Sequence, residues 1–139
     1  MRHVTFRVDR ERYALPLAAV REVVVPPALF SRVPCAPASV RGVINLRGRV
    51  VTVLELRALL GLKASGAVDA KILLLDRGRR DLAFLVTDVD GVESIEKVSA
   101  APGPSALAVR GVARLKGWAV TVLDPEGLDG AVMSLFGGR

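Results

Sequence analysis

The sequence predicts a mainly β protein: two small five-stranded barrels, with short helices between strands and a longer helix near the C-terminal end. The first observation behind this is an internal repeat. Residues 41–55, RGVINLRGRVVTVLE, overlay residues 110–124, RGVARLKGWAVTVLD, with nine identities in fifteen positions, where chance gives about one. Charge is kept at Arg47/Lys116 and Glu55/Asp124, and the same shift of 69 sets Leu15 over Phe84, Val20 over Val89 and Val23 over Val92. The second observation is a series of ten short apolar or alternating segments in two sets of five, with turn residues about every eight to twelve positions. The third is composition: 139 residues, 51% hydrophobic, with only six aromatics. That suffices for one packed unit, whereas a lone barrel of about 60 residues has a thin core, so two are expected to pack together. A seam between two barrels is then a natural place for a partner to bind.

In chain order, residues 3–9 alternate at Val4, Phe6 and Val8, as a half-buried strand does. Asp9 to Arg12 is a polar turn. Tyr13 to Leu17 resumes the apolar run; Pro16 lacks a donor and suits a strand edge or the start of a short helix over Leu17–Val20. Arg21 to Val25 is a strand, and four prolines in 26–39 make that stretch a surface connection. Val43–Leu46 and Arg49–Leu54 form a hairpin around Arg47-Gly48, whose tip needs a positive φ. Glu55 to Leu62 has helical spacing and stops at Gly61. Lys63 to Ala70 is the linker. The plan then repeats: strands at Ile72–Leu75, Leu82–Val86 and Asp88–Ile95, a Pro-containing connection at Ala100–Ser105, and a second hairpin around Lys116-Gly117. Asp124 as cap and Pro125 at the first position start a helix that runs to about Phe136, after which the chain is expected to fray. The expected boundaries, within a single domain over 1–139, are 1–62 for the first barrel, 63–70 for the linker, 71–124 for the second barrel and 125–136 for the helix.

No apolar run reaches the length of a membrane span, and the opening MRHVTFRVDRERY has no signal-peptide core, so a cytoplasmic protein is expected. The net charge is +6, and sixteen of the twenty cationic residues are arginine. They are scattered, without interleaved aromatics for base stacking, so nucleic acid is not the expected partner. His3, the one histidine, is expected at the surface on the polar side of its strand, and Cys35 as a buried or semi-buried thiol. The acid pairs Asp88/Asp90 and Glu93/Glu96 are expected to be solvated. No serine sits in a nucleophile-elbow context, no glycine pattern forms a phosphate loop, and no ligand cluster has metal spacing. No catalytic, cofactor or metal site is therefore expected.

The strongest local signature is Arg41-Gly42-Val43-Ile44-Asn45-Leu46-Arg47-Gly48, followed by Val50, Val51 and Val53 and then Glu55-Leu56-Arg57. This resembles the hallmark of the CheW-like chemotaxis coupling (adaptor) family. FRVDRERYALPLAAVREVV resembles that family's first strands, Arg32-Val33-Pro34 its R-x-P, and RGVARLKGWAVTVLDPEGL its closing hairpin and terminal helix. The resemblance spans essentially the whole chain. It implies two intertwined SH3-like barrels and a non-catalytic scaffold, monomeric in isolation and part of a ring or array in complex. Its implied partners are a methyl-accepting chemotaxis receptor and the regulatory domain of a CheA-type histidine kinase. It further implies a receptor contact at Val20, Glu22 and Arg47. Gly42 and Gly48 are read as conformational, and Asn45 as bonding its own backbone at the hairpin. The kinase is assigned to the edge of the second barrel near Lys71, Ile72 and Ala83. The positive charge and Cys35 depart from what the family leads one to expect. Two rivals stand beside this reading: a basic scaffold associated with the nucleoid or a polar landmark, and a relative that competes for receptors without engaging the kinase.

Overall fold

The computed structural model describes residues 1–62, 68–76, 82–100 and 108–137, without the side chains of 136 and 137. The strands are β1 (Arg2–Val8), β2 (Glu11–Pro16), β3 (Val20–Val24), β4 (Val40–Leu46), β5 (Arg49–Glu55), β6 (Lys71–Leu75), β7 (Leu82–Val86), β8 (Asp88–Ser94), β9 (Val109–Leu115) and β10 (Trp118–Leu123). The helices are α1 (Leu56–Leu59) and α2 (Pro125–Gly137), and a 3-10 turn covers Leu17–Ala19. The turn at residues 77–80 and parts of the expected linker and second Pro-containing connection lie outside the described residues.

The strands form two five-stranded sheets, β8-β1-β2-β10-β9 and β3-β6-β7-β5-β4. The shift of 69 turns β1 to β5 into β6 to β10, and under that exchange the first strand order becomes the second. Each sheet therefore takes two strands from one repeat and three from the other. Each sheet is joined twice across the repeats: by a parallel pair, β10 on β2 through Thr121/Tyr13 and Val122/Ala14 or β5 on β7 from Thr52/Leu82 to Glu55/Leu85, and by an edge strand, β8 beside β1 or β3 antiparallel on β6. The compact units are accordingly 1–17 with 89–139 (unit 1) and 18–88 (unit 2). They do not coincide with the consecutive stretches 1–62 and 71–124 read from the sequence. Local periodicity identifies a strand but not its non-local partner, and here the partner crosses the repeat boundary.

Each unit has its own core. In unit 2, Val51, Val53, Ile72, Leu74, Ala83 and Leu85 cluster, with Val24, Phe30, Ile44 and Leu46 packed against them. In unit 1 the cluster is Ala14, Ile95, Ala113, Val120 and Val122, with Val98 and Leu115 against it. Side chains alternate along a strand, yet β6 and β7 are buried on both faces, and so is β1, where Thr5 and His3 are enclosed along with Val4 and Phe6. This overturns the surface placement of His3. It is buried, and its Nδ1 lies 3.0 Å from the Met1 carbonyl oxygen, which accepts from it. Both faces of β1 are covered, so its polar positions are enclosed along with the apolar ones. Cys35 departs the other way. It is exposed, at a φ of 59° in the Pro-rich connection.

The helices show why Glu55 and Asp124 are not equivalent. The Asp124 carboxylate accepts the Glu126 N–H at 3.2 Å, and Leu128 and Val132, one turn apart, bury the inner face of α2. Glu55 occupies the same place before α1 but makes no side-chain cap. That helix has a single turn, with Leu60 as its C-cap and Gly61 just beyond it at φ +74°.

Candidate functional site

In unit 2, β4 and β5 meet at a two-residue turn in which Arg47 (φ 52°) and Gly48 (φ 84°) are both left-handed. A turn of this hand matches the twist of the strands it joins. No atom stands within 4 Å of where a Gly48 Cβ would be, so the glycine is there for its φ alone. Asn45 secures the turn by accepting the Gly48 N–H on Oδ1 at 2.9 Å. The turn aims Arg47 outward, where its guanidinium pairs with the Glu22 carboxylate of β3. β3 and β4 are the two edge strands of this sheet, so the ion pair ties one edge to the hairpin that ends at the other.

The ends of β3 and β4 also wall a cleft of about 240 Å³, lined by Val24, Val25, Pro27, Leu29, Ile44, Asn45 and Leu46 among others. Val25 and Leu29 stand well exposed. The Pro-rich connection is laid on the edge of β4, where Ser31 and Val43 exchange both backbone hydrogen bonds at 3.1 and 2.9 Å. This approach explains Gly42. A Cβ there would sit 2.6 Å from the Ser31 carbonyl oxygen and 2.8 Å from the Phe30 Cβ, and φ is +151°. The Arg41 guanidinium lies over the Phe30 ring at 4.5 Å.

Arg47, Gly42, Asn45 and Gly48 thus share one hairpin, and Glu22 reaches its tip from the opposite edge strand of the sheet. Val20 does not join them. It pairs with Leu75 and Glu22 with Leu74, so one extra residue bulges between them. Residues directly opposite each other in an antiparallel pair share a face. The bulge therefore puts Val20 and Glu22 on opposite faces of the sheet. The expected kinase face is corrected more fully. β6 and β7 are inner strands rather than an edge, and Ile72 and Ala83 are both wholly enclosed in the unit 2 core. Lys71 is part-exposed, with its ammonium 3.4 Å from Asp88.

Three groupings were not visible in the sequence reading. Arg57 and Asp69 form a buried ion pair at 2.6 Å, and Thr87 donates to the same Asp69 oxygen at 3.0 Å. Asp69 lay within the expected linker and carried no signal. In unit 1, Lys116 pairs with Glu93 at 3.1 Å, and Arg12 lies over the Trp118 ring at 4.3 Å. The repeat does set Lys116 over Arg47, but it sets Gly91 over Glu22. The acid has moved two residues along β8, which keeps it on the same strand face. The remaining acids expected to be solvated are also engaged: Asp90 with Arg7 and Arg12, and Glu96 with the Met1 amine. Hydrogen bonds from that amine and from Ser94 hold the Glu96 carboxyl below its ordinary range.

Residues 2–131 match the CheW-like domain family. The chemotaxis protein CheW of Helicobacter pylori is 29% identical over 132 residues, which cover 91% of this chain and 79% of that protein. The chemotaxis protein CheW of Rhizobium meliloti is 35% identical over 97 residues, 69% of this chain and 60% of that one. Among solved structures, the scaffolding protein TtCheW from Thermoanaerobacter tengcongensis superposes with a TM-score of 0.79 over 88% of both chains at 24% identity, a likeness of fold.

Proposed function

This chain belongs to the CheW-like family, and on that footing we propose that it is a non-catalytic chemotaxis adaptor that couples the cytoplasmic tips of chemoreceptors to a CheA-type histidine kinase. Relatives named as chemotaxis and scaffolding proteins support that role. So does the observation that carries the receptor assignment, an exposed Glu22–Arg47 pair at the tip of a hairpin whose Asn45 and Leu46 line an apolar cleft. An exposed ion pair contributes little to stability, so it is available to exchange partners. A receptor helix with an apolar stripe and an acidic residue would lay the stripe in the cleft and offer its carboxylate to Arg47. Glu22 then holds the guanidinium in place until the receptor engages and rejects helices that carry acids elsewhere.

The protein works in the cytoplasm at receptor arrays. No helix among the described residues is long and apolar enough to cross a membrane. It is monomeric when isolated and enters rings with the kinase regulatory domain, where weak contacts add up through repetition. Coupling requires that the kinase's active and inactive states contact the scaffold differently, because an equal affinity for both shifts nothing.

The test is Glu22→Lys, read by titration calorimetry against a receptor cytoplasmic-tip fragment. Binding is expected to weaken by about tenfold or more, with stability unchanged within about 0.5 kcal/mol. A variant that binds as tightly as the wild type removes Glu22 from the receptor contact.

A further inference from the structure

Arg41 and Arg110 are counterparts in the repeat, but their surroundings differ. In unit 2, Arg41 lies over the Phe30 ring, and Phe30 packs on a core that includes the enclosed Ile72. The shift of 69 sets His3 of β1 over that Ile72. The connections correspond as well. Ser31 bridges to Val43 and Ser99 to Val112, and a Cβ at Gly42 would meet Phe30 where one at Gly111 would meet Val98. Val98 therefore stands where Phe30 does. Unit 1 has a smaller side chain in place of the ring and an imidazole in place of the core isoleucine.

A cleft of about 390 Å³ opens there, lined by Met1, His3, Ile95, Glu96, Val98 and Arg110. That volume suits a small molecule. His3 is only 2% exposed. Its Nδ1 donates to the Met1 carbonyl oxygen, and its Nε2 has no hydrogen-bond partner among the described residues. Nor is Nε2 sealed in, since among those residues only the Ser39 hydroxyl is fully enclosed without a partner. Nε2 therefore faces the cleft, and a polar atom so deeply placed calls for a partner. The charged groups of the lining are the Met1 amine, Arg110 and Glu96. Glu96 is engaged by the amine at 2.9 Å and by the Ser94 hydroxyl at 2.8 Å. Arg110 is exposed and makes no ion pair or hydrogen bond among the described residues. The lining thus offers a guanidinium without an acid and an imidazole nitrogen without a partner. Ile95 and Val98 supply an apolar wall.

We propose that Arg110 and His3 form a binding site for a small phosphate monoester, its phosphate between the guanidinium and Nε2 and its organic part against Val98. Arginine takes a phosphate through parallel N–H donors. His3 then selects among oxyanions. With Nδ1 donating, Nε2 accepts in the neutral ring and donates in the charged one. A phosphate monoester loses its second proton at about pH 6. It therefore accepts from the charged ring or donates to the neutral one. A carboxylate is ionised near neutrality and only accepts. The site belongs to unit 1 and does not depend on the receptor contact of unit 2.

His3 is the only histidine, so the NMR signals of its ring protons report this site and no other. The full chain is titrated near neutral pH and at constant ionic strength with phenyl phosphate, inorganic phosphate and benzoate. The wild type, Arg110→Gln and Arg41→Gln are compared. Phenyl phosphate is expected to move the His3 signals saturably, and benzoate to bind about tenfold more weakly or worse. Inorganic phosphate is expected to bind more weakly than its phenyl ester. Arg110→Gln should weaken phenyl phosphate by about tenfold, while Arg41→Gln, its counterpart in unit 2, binds as the wild type does. His3 signals that phenyl phosphate leaves unmoved in the folded protein overturn the site. Equal affinity in the wild type and Arg110→Gln overturns Arg110 as its cation. Benzoate that binds as tightly as phenyl phosphate overturns phosphate as the group recognised. Inorganic phosphate that binds as tightly as the ester overturns the contact with Val98 and makes the free ion the ligand.

Discussion

Unit 1 and unit 2 share a strand order and a hairpin geometry, but their details are finished with different chemistry. At the first turn Asn45 accepts the Gly48 N–H; at the second, Arg114 occupies the matching position and its guanidinium lies 3.4 Å from the Gly117 carbonyl oxygen. Where unit 2 has Leu75 and Leu82, unit 1 has Phe6 and Tyr13, with ring centroids 6.0 Å apart. Unit 2 alone has the buried Arg57–Asp69 pair, because the position matching Arg57 in unit 1 is Glu126, in the first turn of α2. What both units keep is the left-handed turn, the glycine under the connecting strand and an exposed cation–acid pair across the edge strands. The first two are needed to build the hairpin and its cover. The third contributes little to stability, so its recurrence from non-equivalent acids points to recognition.

The largest effect is expected where the units differ most. Asp69→Ala leaves a buried guanidinium without its carboxylate, and loss of one partner of a buried pair costs about 3–5 kcal/mol. Urea unfolding measures this, and a cost below about 1 kcal/mol would show that the pair is not needed to hold unit 2 together. Next come the two crowded glycines. Gly42→Ala meets the Ser31 carbonyl oxygen at 2.6 Å and Gly111→Ala meets that of Ser99 at 2.3 Å. Overpacking of this kind costs about 1–3 kcal/mol, or more where backbone must yield. Both variants should lower the melting temperature; if only one does, the two connections are not held alike. Gly48→Val and Gly117→Val place a β-branched residue in left-handed backbone with open space around it. Each is expected to cost about 1–2 kcal/mol, and an unchanged melting temperature in either would show that its turn can adopt another form.

The smallest effect is in the aromatic pair. Burial, with Glu11 second, raises the Tyr13 hydroxyl above its ordinary 10.0. The folded state therefore disfavours the phenolate. This contribution to stability is fully present below the unfolded value and is lost as pH rises through the folded one. Tyr13 is the only tyrosine, so its phenolate absorbance reads the shift directly. A midpoint at the unfolded value would place the ring in water.

Much of this was legible in the sequence. The repeat located both hairpins, alternation located most strands, and Asp124-Pro125 marked the start of α2. The hairpin motif also brought Gly42, Asn45, Arg47 and Gly48 into view. What stayed hidden depends on contacts between distant residues. The exchange of strands between repeats rests on β5–β7, β10–β2, β3–β6 and β8–β1, pairings that leave no mark on local periodicity. His3 reads as polar and is covered because both faces of β1 are buried. Ile72 and Ala83 read as a possible surface and are core for the same reason. Glu93 escaped the overlay by a two-residue displacement, and Val20 was separated from Glu22 by a single bulged residue.

The central claim, that this chain couples receptor to kinase, is tested most directly by co-sedimentation. Receptor-bearing vesicles, the kinase and this chain are mixed and pelleted, with the chain omitted, present, or present as Glu22→Lys. Kinase is expected in the pellet when the wild-type chain is present, little without it, and little with Glu22→Lys. Kinase that pellets equally in all three mixtures would contradict the claim.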